Sequence, residues 1–134
     1  MQNSKPISLS PIAIGDVTIP SPVILAPMTG VSDLPFRRLV RAFGSGLNVT
    51  EMIASQAAIR ETRQSIQKAL WDPSEDPVSM QLVGCEPASM ADAAKLAEDR
   101  GAAIIDINMG CPVRKVTNGD GAKGNGLRIL HAPA

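Results

Sequence analysis

The chain has 134 residues, 44% of them hydrophobic, which is enough to bury one core of ordinary size and argues for a single domain. Its 13 Lys and Arg balance 13 Asp and Glu, so there is no net field to gather a polyanion, and composition alone gives no argument for nucleic acid. No apolar run approaches the roughly 18 residues that a membrane span requires, and Met1 to Pro6 lacks a charged segment followed by an apolar one, so a soluble, cytoplasmic chain is expected. Two cysteines, Cys85 and Cys111, are too few for a disulfide framework and are expected as free thiols.

Ile12, Ile14, Val17 and Ile19 alternate around Gly15-Asp16, the pattern of a short hairpin, and Pro20 and Pro22 end it. Val23 to Ala26 is an all-apolar run of the kind that forms a strand buried on both faces. Ser32 is the expected N-cap of a helix in which Phe36, Leu39, Val40 and Phe43 share one face, Arg37, Arg38 and Arg41 take the other, and Gly44 ends the run. Leu47 to Met52 reads as the second strand of the parallel set, followed by a helical stretch from Ala54 to Ala69. After a loop from Asp72 to Pro77, Val78 to Val83 is the third strand. Pro87 opens a helix running to Arg100 with Gly101 as its C-cap, and Ala103 to Asn108 is the fourth strand.

Strands alternating with helices, each crossover long enough for one helix, predict a parallel sheet with right-handed connections. A doubly wound sheet and a barrel both satisfy that order. A complete (β/α)8 barrel needs about 250 residues, so four strands would make half of one.

In parallel α/β folds ligands sit at the carboxyl ends of the strands, which directs attention to Ala26 to Gly30, Thr50 to Met52, Met80 to Leu82 and Asn108 to Pro112. Cys111 lies between Gly110 and Pro112 just after a strand. With an unperturbed pKa of about 8.5, such a thiol is protonated at neutral pH and can act as a general acid. A nucleophilic role needs a base, and the sole histidine is His131, near the end of the chain. Residue chemistry alone divides Cys111 evenly between a functional thiol and a small buried side chain. Cys85 reads as an N-cap occupied by an unusual residue, and two cysteines make no zinc site, so no metal is expected.

Gln81 both donates and accepts, which suits the edge of a heteroaromatic ring, although a Gln at a strand end can simply cap backbone. Glu51 and Asp106 are further candidates. Asp106 is read as structural, holding the loop that carries Cys111, because a carboxylate inside a strand must be paired. Asn108 could bond a base edge or the loop backbone, with the base edge favoured. Arg37, Arg38 and Arg41 could touch phosphate but form a face usually left to solvent, whereas Arg114 and Lys115 follow the Cys111 loop at the mouth of the expected site. Gly119 to Gly126 lacks the spacing of a P-loop. Trp71 and Met52 are read as packing residues.

Taken together, Ala26-Pro27-Met28 followed by Asp33-Leu34-Pro35-Phe36-Arg37, then Thr50-Glu51-Met52, Gln81-Leu82 and Asp106-Ile107-Asn108-Met109-Gly110-Cys111-Pro112, resemble the bacterial tRNA-dihydrouridine synthases, the B-type branch above all. The resemblance runs from about Ile12 to about Asp120. It implies an FMN-binding TIM barrel that reduces a uridine of tRNA to dihydrouridine with NADPH as electron source. By position it implies that Pro27, Met28 and Thr29 lie against the flavin and that Gln81 bonds the isoalloxazine edge. Asn108 would approach the target uracil, with Arg114 and Lys115 toward the substrate, and Cys111 would give a proton to C5 while reduced FMN gives hydride to C6.

After Asn118-Gly119-Asp120 the chain departs from that pattern. Residues 1–120 are therefore read as a partial barrel domain, and 121–134 as an aberrant tail, expected to be disordered, with a shifted reading frame or broken gene model as the hypothesis. Barrel loops after strands seven and eight hold the flavin phosphate. A chain with four strands is thus expected to bind FMN poorly, to reduce no tRNA alone, and to carry open sheet edges that favour self-association. The alternatives are another FMN barrel, such as a dihydroorotate dehydrogenase or an ene-reductase, and a non-catalytic half barrel.

Overall fold

A computed structural model of the chain describes residues 9–110. The hairpin forms as expected: β1 (Ile12–Ile14) pairs antiparallel with β2 (Val17–Ile19), and Gly15 supplies the positive φ of the turn. The chain leaving the hairpin passes tightly against Gly46. A Cβ there would overlap the Ser21 carbonyl oxygen, and the Gly46 N–H donates to the Val23 carbonyl at 2.8 Å. Gly46 immediately precedes a strand, so this contact lies at the amino end of the sheet.

The parallel sheet contains β3 (Ile24–Leu25), β4 (Leu47–Val49), β5 (Ile53–Ala54), β6 (Val78–Val83) and β7 (Ile104–Ile107). Strand β6 is central and wholly buried, with β7 on one side from Ser79 to Leu82. On its other side β4 pairs at Val78 and Ser79, and β5 at Leu82 and Val83. These two pieces are one interrupted strand. Three residues separate Val49 from Ile53, whereas their partners Ser79 and Leu82 are separated by two, so Thr50-Glu51-Met52 forms a bulge. The second strand expected over Leu47 to Met52 is therefore both longer and broken.

One face of β6 carries Met80 and Leu82 into the apolar core, where Ile53 joins them and Ala58, Ala69, Ala93 and Ala97 close in from the helices. Alanine at these helical positions lets α2 (Ser55–Ile59) and α4 (Pro87–Asp99) approach the sheet closely. Burying a side chain the size of Leu82 or Met80 contributes about 1.5–3 kcal/mol. Trp71 packs at the rim and donates its indole N–H to the Arg100 carbonyl at 2.7 Å, in keeping with the packing role read for it. Helix α4 ends in a Schellman motif, with Gly101 at φ 91, its N–H on the Glu98 carbonyl and the Ala102 N–H on that of Ala97.

Several expectations are corrected. Helix α1 (Leu34–Ala42) is capped by Asp33, which accepts from the Phe36 N–H, and not by Ser32. Ser32 is buried and closes the preceding turn, its hydroxyl accepting from the Met28 N–H at 2.8 Å. The arginine face of α1 is not a solvated surface. Arg37 is 1% exposed and its guanidinium meets Glu75 at 2.9 Å and the carbonyls of Ser32 and Leu70, while Leu39 and Phe43 face outward. A buried arginine is tolerable because Glu75 and two carbonyls satisfy its donors, and Asn48 bonds Glu75 in turn. Arg41 donates to the carbonyls of Ser45 and Gly46, which leaves Arg38 as the solvated member of the three.

The helix expected over Ala54 to Ala69 divides into α2 and α3 (Arg63–Ala69). Glu61 adopts φ 48 and the Thr62 hydroxyl caps α3 by accepting from the Ser65 N–H, a local bond that competes with helical continuation. The loop after Trp71 contains a 3-10 turn (Pro73–Glu75) with a capping box formed by Asp72 and Glu75. The Ser74 hydroxyl and N–H, with Arg38 nearby, hold the Asp72 carboxyl below the usual carboxylate range. Cys85 is a free thiol but not the N-cap of α4; that position belongs to Glu86, with no side-chain cap.

Candidate functional site

The carboxyl ends of the strands converge, and hydrogen bonds tie them into one surface. From the loop after β3, the Gly30 N–H donates to the Glu51 carboxylate. Glu51 is 8% exposed and sits in the bulge, which is what carries its side chain toward the first loop. The neighbouring Thr50 hydroxyl accepts from the Gln81 N–H at 3.2 Å and donates to the Glu51 carbonyl. The Gln81 side chain then reaches across to β7, donating to the Asp106 carboxylate and accepting from the Asn108 amide at 3.2 Å. Asn108 also points an N–H at the Met52 sulfur, 3.8 Å away, and its oxygen accepts from the Gly110 N–H at 3.1 Å.

Of the residues singled out from sequence, Gln81, Asp106 and Asn108 are joined directly by hydrogen bonds. Gln81, 7% exposed, lies on the face of β6 opposite the helices, in register with Asp106. Asn108 follows β7 beside it. Pro27 is half-buried, and Met28 and Thr29 are exposed on the first loop, above the Gly30 contact with Glu51. Asp106 was expected to hold the loop after β7; its direct partner is the Gln81 amide. Asn108 bonds both a side-chain amide and its own loop backbone. Cys111, Arg114 and Lys115 lie outside the described residues, as does the segment 121–134.

The segment Thr50 to Met52 was a candidate from sequence, but the individual parts that Thr50 and Met52 play in this network were not read there. Met52 was read as packing, and only the bulge, which no local pattern announces, turns it toward Asn108. Thr50 acts through its hydroxyl on a neighbouring strand's backbone, a contact that needs the strand pairing to be known.

Gln81 permits a test of fit for a flavin. Its amide carries two N–H groups and an oxygen with two lone pairs. One N–H goes to Asp106 and one lone pair to Asn108, so one donor and one acceptor remain. That pair matches the imide edge of an isoalloxazine, and the Pro27-Met28 loop offers an apolar, polarizable surface for its ring. The residues fit the group. Among the described residues no group of three or more His, Cys, Asp or Glu could hold a metal ion, and no helix is long and apolar enough to cross a membrane.

Comparison with known proteins gives a consistent answer. The dihydrouridine synthase (Dus) family model matches residues 24–123. A "probable tRNA-dihydrouridine synthase" of Rickettsia bellii (strain RML369-C) is 56% identical over 109 residues, 81% of this chain and 33% of the relative. A protein of Rhodobacter capsulatus with the same description is 50% identical over 109 residues, 81% of this chain and 34% of the relative. The "tRNA-dihydrouridine synthase B" of Pseudomonas aeruginosa is 46% identical over 110 residues, 82% and 33% of the two. The chain spans about a third of the length of the curated relatives it matches. Dus proteins are flavin-dependent TIM barrels, and β3, the β4/β5 pair, β6 and β7 are successive parallel strands of that architecture. With a matched segment covering most of its length, the chain belongs to the dihydrouridine synthase family.

Proposed function

We propose that this chain carries part of the active site of a tRNA-dihydrouridine synthase that reduces uridine in tRNA, with FMN as its flavin and NADPH as the electron source. The observation that carries the reading is the joined surface at the carboxyl side of the sheet, where a buried Gln81 keeps one donor and one acceptor free and the Glu51 bulge ties the loop after β3 to the neighbouring strand. Bound reduced flavin supplies the electron pair that saturates the C5–C6 bond of the uracil.

The chain's own residues do the rest. Gln81 holds the flavin edge through its free N–H and lone pair. Pro27, Met28 and Thr29 would lie against one side of the ring and exclude water from it. Asn108 approaches the uracil, and the Cys111 thiol gives its proton to C5, where negative charge develops; general acid catalysis of this kind contributes about 10²–10⁴ in rate. Arg114 and Lys115 meet phosphates of the tRNA. The target base leaves its stack to reach the floor of a barrel.

Dihydrouridine mapping of tRNA from cells lacking the locus tests this reading. Restoration of the missing modification by a full-length version, and its loss on Cys111→Ala, is the expected result. Unchanged dihydrouridine after deletion would overturn it.

A further inference from the structure

The polar side chains at the strand ends do more than meet. They are ordered in direction. Asp106, when ionised, only accepts hydrogen bonds, and the Gly110 N–H only donates. Between them stand two amides, Gln81 and Asn108, each of which could be turned either way. The Asp106 carboxylate requires the Gln81 NH2 group, which leaves the Gln81 oxygen facing Asn108. That oxygen in turn requires the Asn108 NH2 group, as does the Met52 sulfur on the same side, a thioether that cannot donate. The Asn108 oxygen is then left for the Gly110 N–H, 3.1 Å away. A single combination of the two amide orientations satisfies every member. Turning either amide sets N–H against N–H or oxygen against oxygen.

We propose that Asp106 is a positioning residue: its carboxylate fixes the hydrogen-bonding direction of Gln81 and Asn108 and through them tethers Gly110, the residue before Cys111. The consequence for catalysis rests on the proposed dihydrouridine synthase reading. There, the fixed direction keeps the free donor and acceptor of Gln81 on set sides, so that a flavin edge of one polarity is accepted, and it anchors the start of the loop that bears the proton donor. The direction itself follows from the side chains alone.

The test is made on the chain without flavin or RNA, so its failure is separable from failure of the functional reading. In the unaltered chain, nuclear Overhauser contacts from the Gln81 side-chain NH2 protons to the Asp106 β-protons are expected. Contacts of those NH2 protons to the Asn108 side chain with none to Asp106 would overturn the proposal. In Asp106→Asn, which keeps the shape but can donate as well as accept, the Gly110 amide should exchange with solvent about tenfold faster, the factor expected for loss of one hydrogen bond. Gln81→Leu, which interrupts the relay with Asp106 intact, should produce the same change. Amides of Ala93 and Ala97 in α4 serve as the reference for overall stability. Acceleration at Gly110 no greater than that at Ala93 and Ala97, or unchanged exchange at Gly110 in both variants, would contradict a positioning role, and the contacts in the unaltered chain decide the matter should both variants fail to fold.

Discussion

The two faces of β6 are built on different chemistry although their residues alternate along one strand. Met80 and Leu82 point into a core of alanines and Ile53, where shape and burial decide everything. Gln81, between them in sequence, points the other way into a network of carboxylate, amides, hydroxyl and sulfur. The contrast teaches that stability and site chemistry are separable at neighbouring positions. A second polar cluster, Arg37 with Glu75 and Asn48, shows that polarity alone does not mark a site. It lies under α1, fully buried, and its donors are taken up by protein groups.

Substitutions can break or sharpen that contrast. The largest effect is expected at the Arg37 cluster, where Glu75→Ala leaves an uncompensated buried charge and should cost about 3–5 kcal/mol in urea unfolding. The double change of Arg37→Met with Glu75→Leu should recover most of it. Leu82→Ala follows, at about 2–5 kcal/mol for lost burial and the cavity left behind. Gln81→Leu should cost only about 1 kcal/mol, because its partners Asp106 and Asn108 are partly open to water that can replace the lost bonds. A Gln81→Leu loss as large as that of Leu82→Ala would erase the distinction between the faces.

The smallest effect concerns pH. The Asp72 carboxyl is held below its ordinary value by the Ser74 hydroxyl and N–H and by Arg38. Its contribution is therefore fully present above the unfolded value of about 3.9 and is lost as pH falls through the lowered folded value. Acid unfolding of Asp72→Asn should lack that component.

Much of this was readable from the residues. The hairpin, the strand Val78 to Val83, and the helix bounded by Pro87 and Gly101 follow from alternation, apolar runs and turn chemistry that act locally. Attention to strand ends led to Asn108 and the Pro27 loop, which do follow β7 and β3, whereas Gln81 lies within β6, two residues before its end. What escaped was set by distant partners. Arg37 looked like solvated surface because Glu75, 38 residues away, is invisible to a helical wheel. The bulge at Thr50-Glu51-Met52 depends on how β4 and β5 register against β6, and the break at Glu61 depends on a cap that outcompetes helix propagation.

On the proposed function, the polar face of the sheet, at its carboxyl end, is the flavin side. Titration of FMN into the 15N-labelled chain tests it directly, since even weak binding shifts amide resonances. Shifts are expected at Gly30, the Gln81 side chain, Asn108 and Gly110, with Ala93 and Ala97 unmoved and the response lost in Gln81→Leu. Shifts confined to the helix side, or none at saturating FMN, would contradict it.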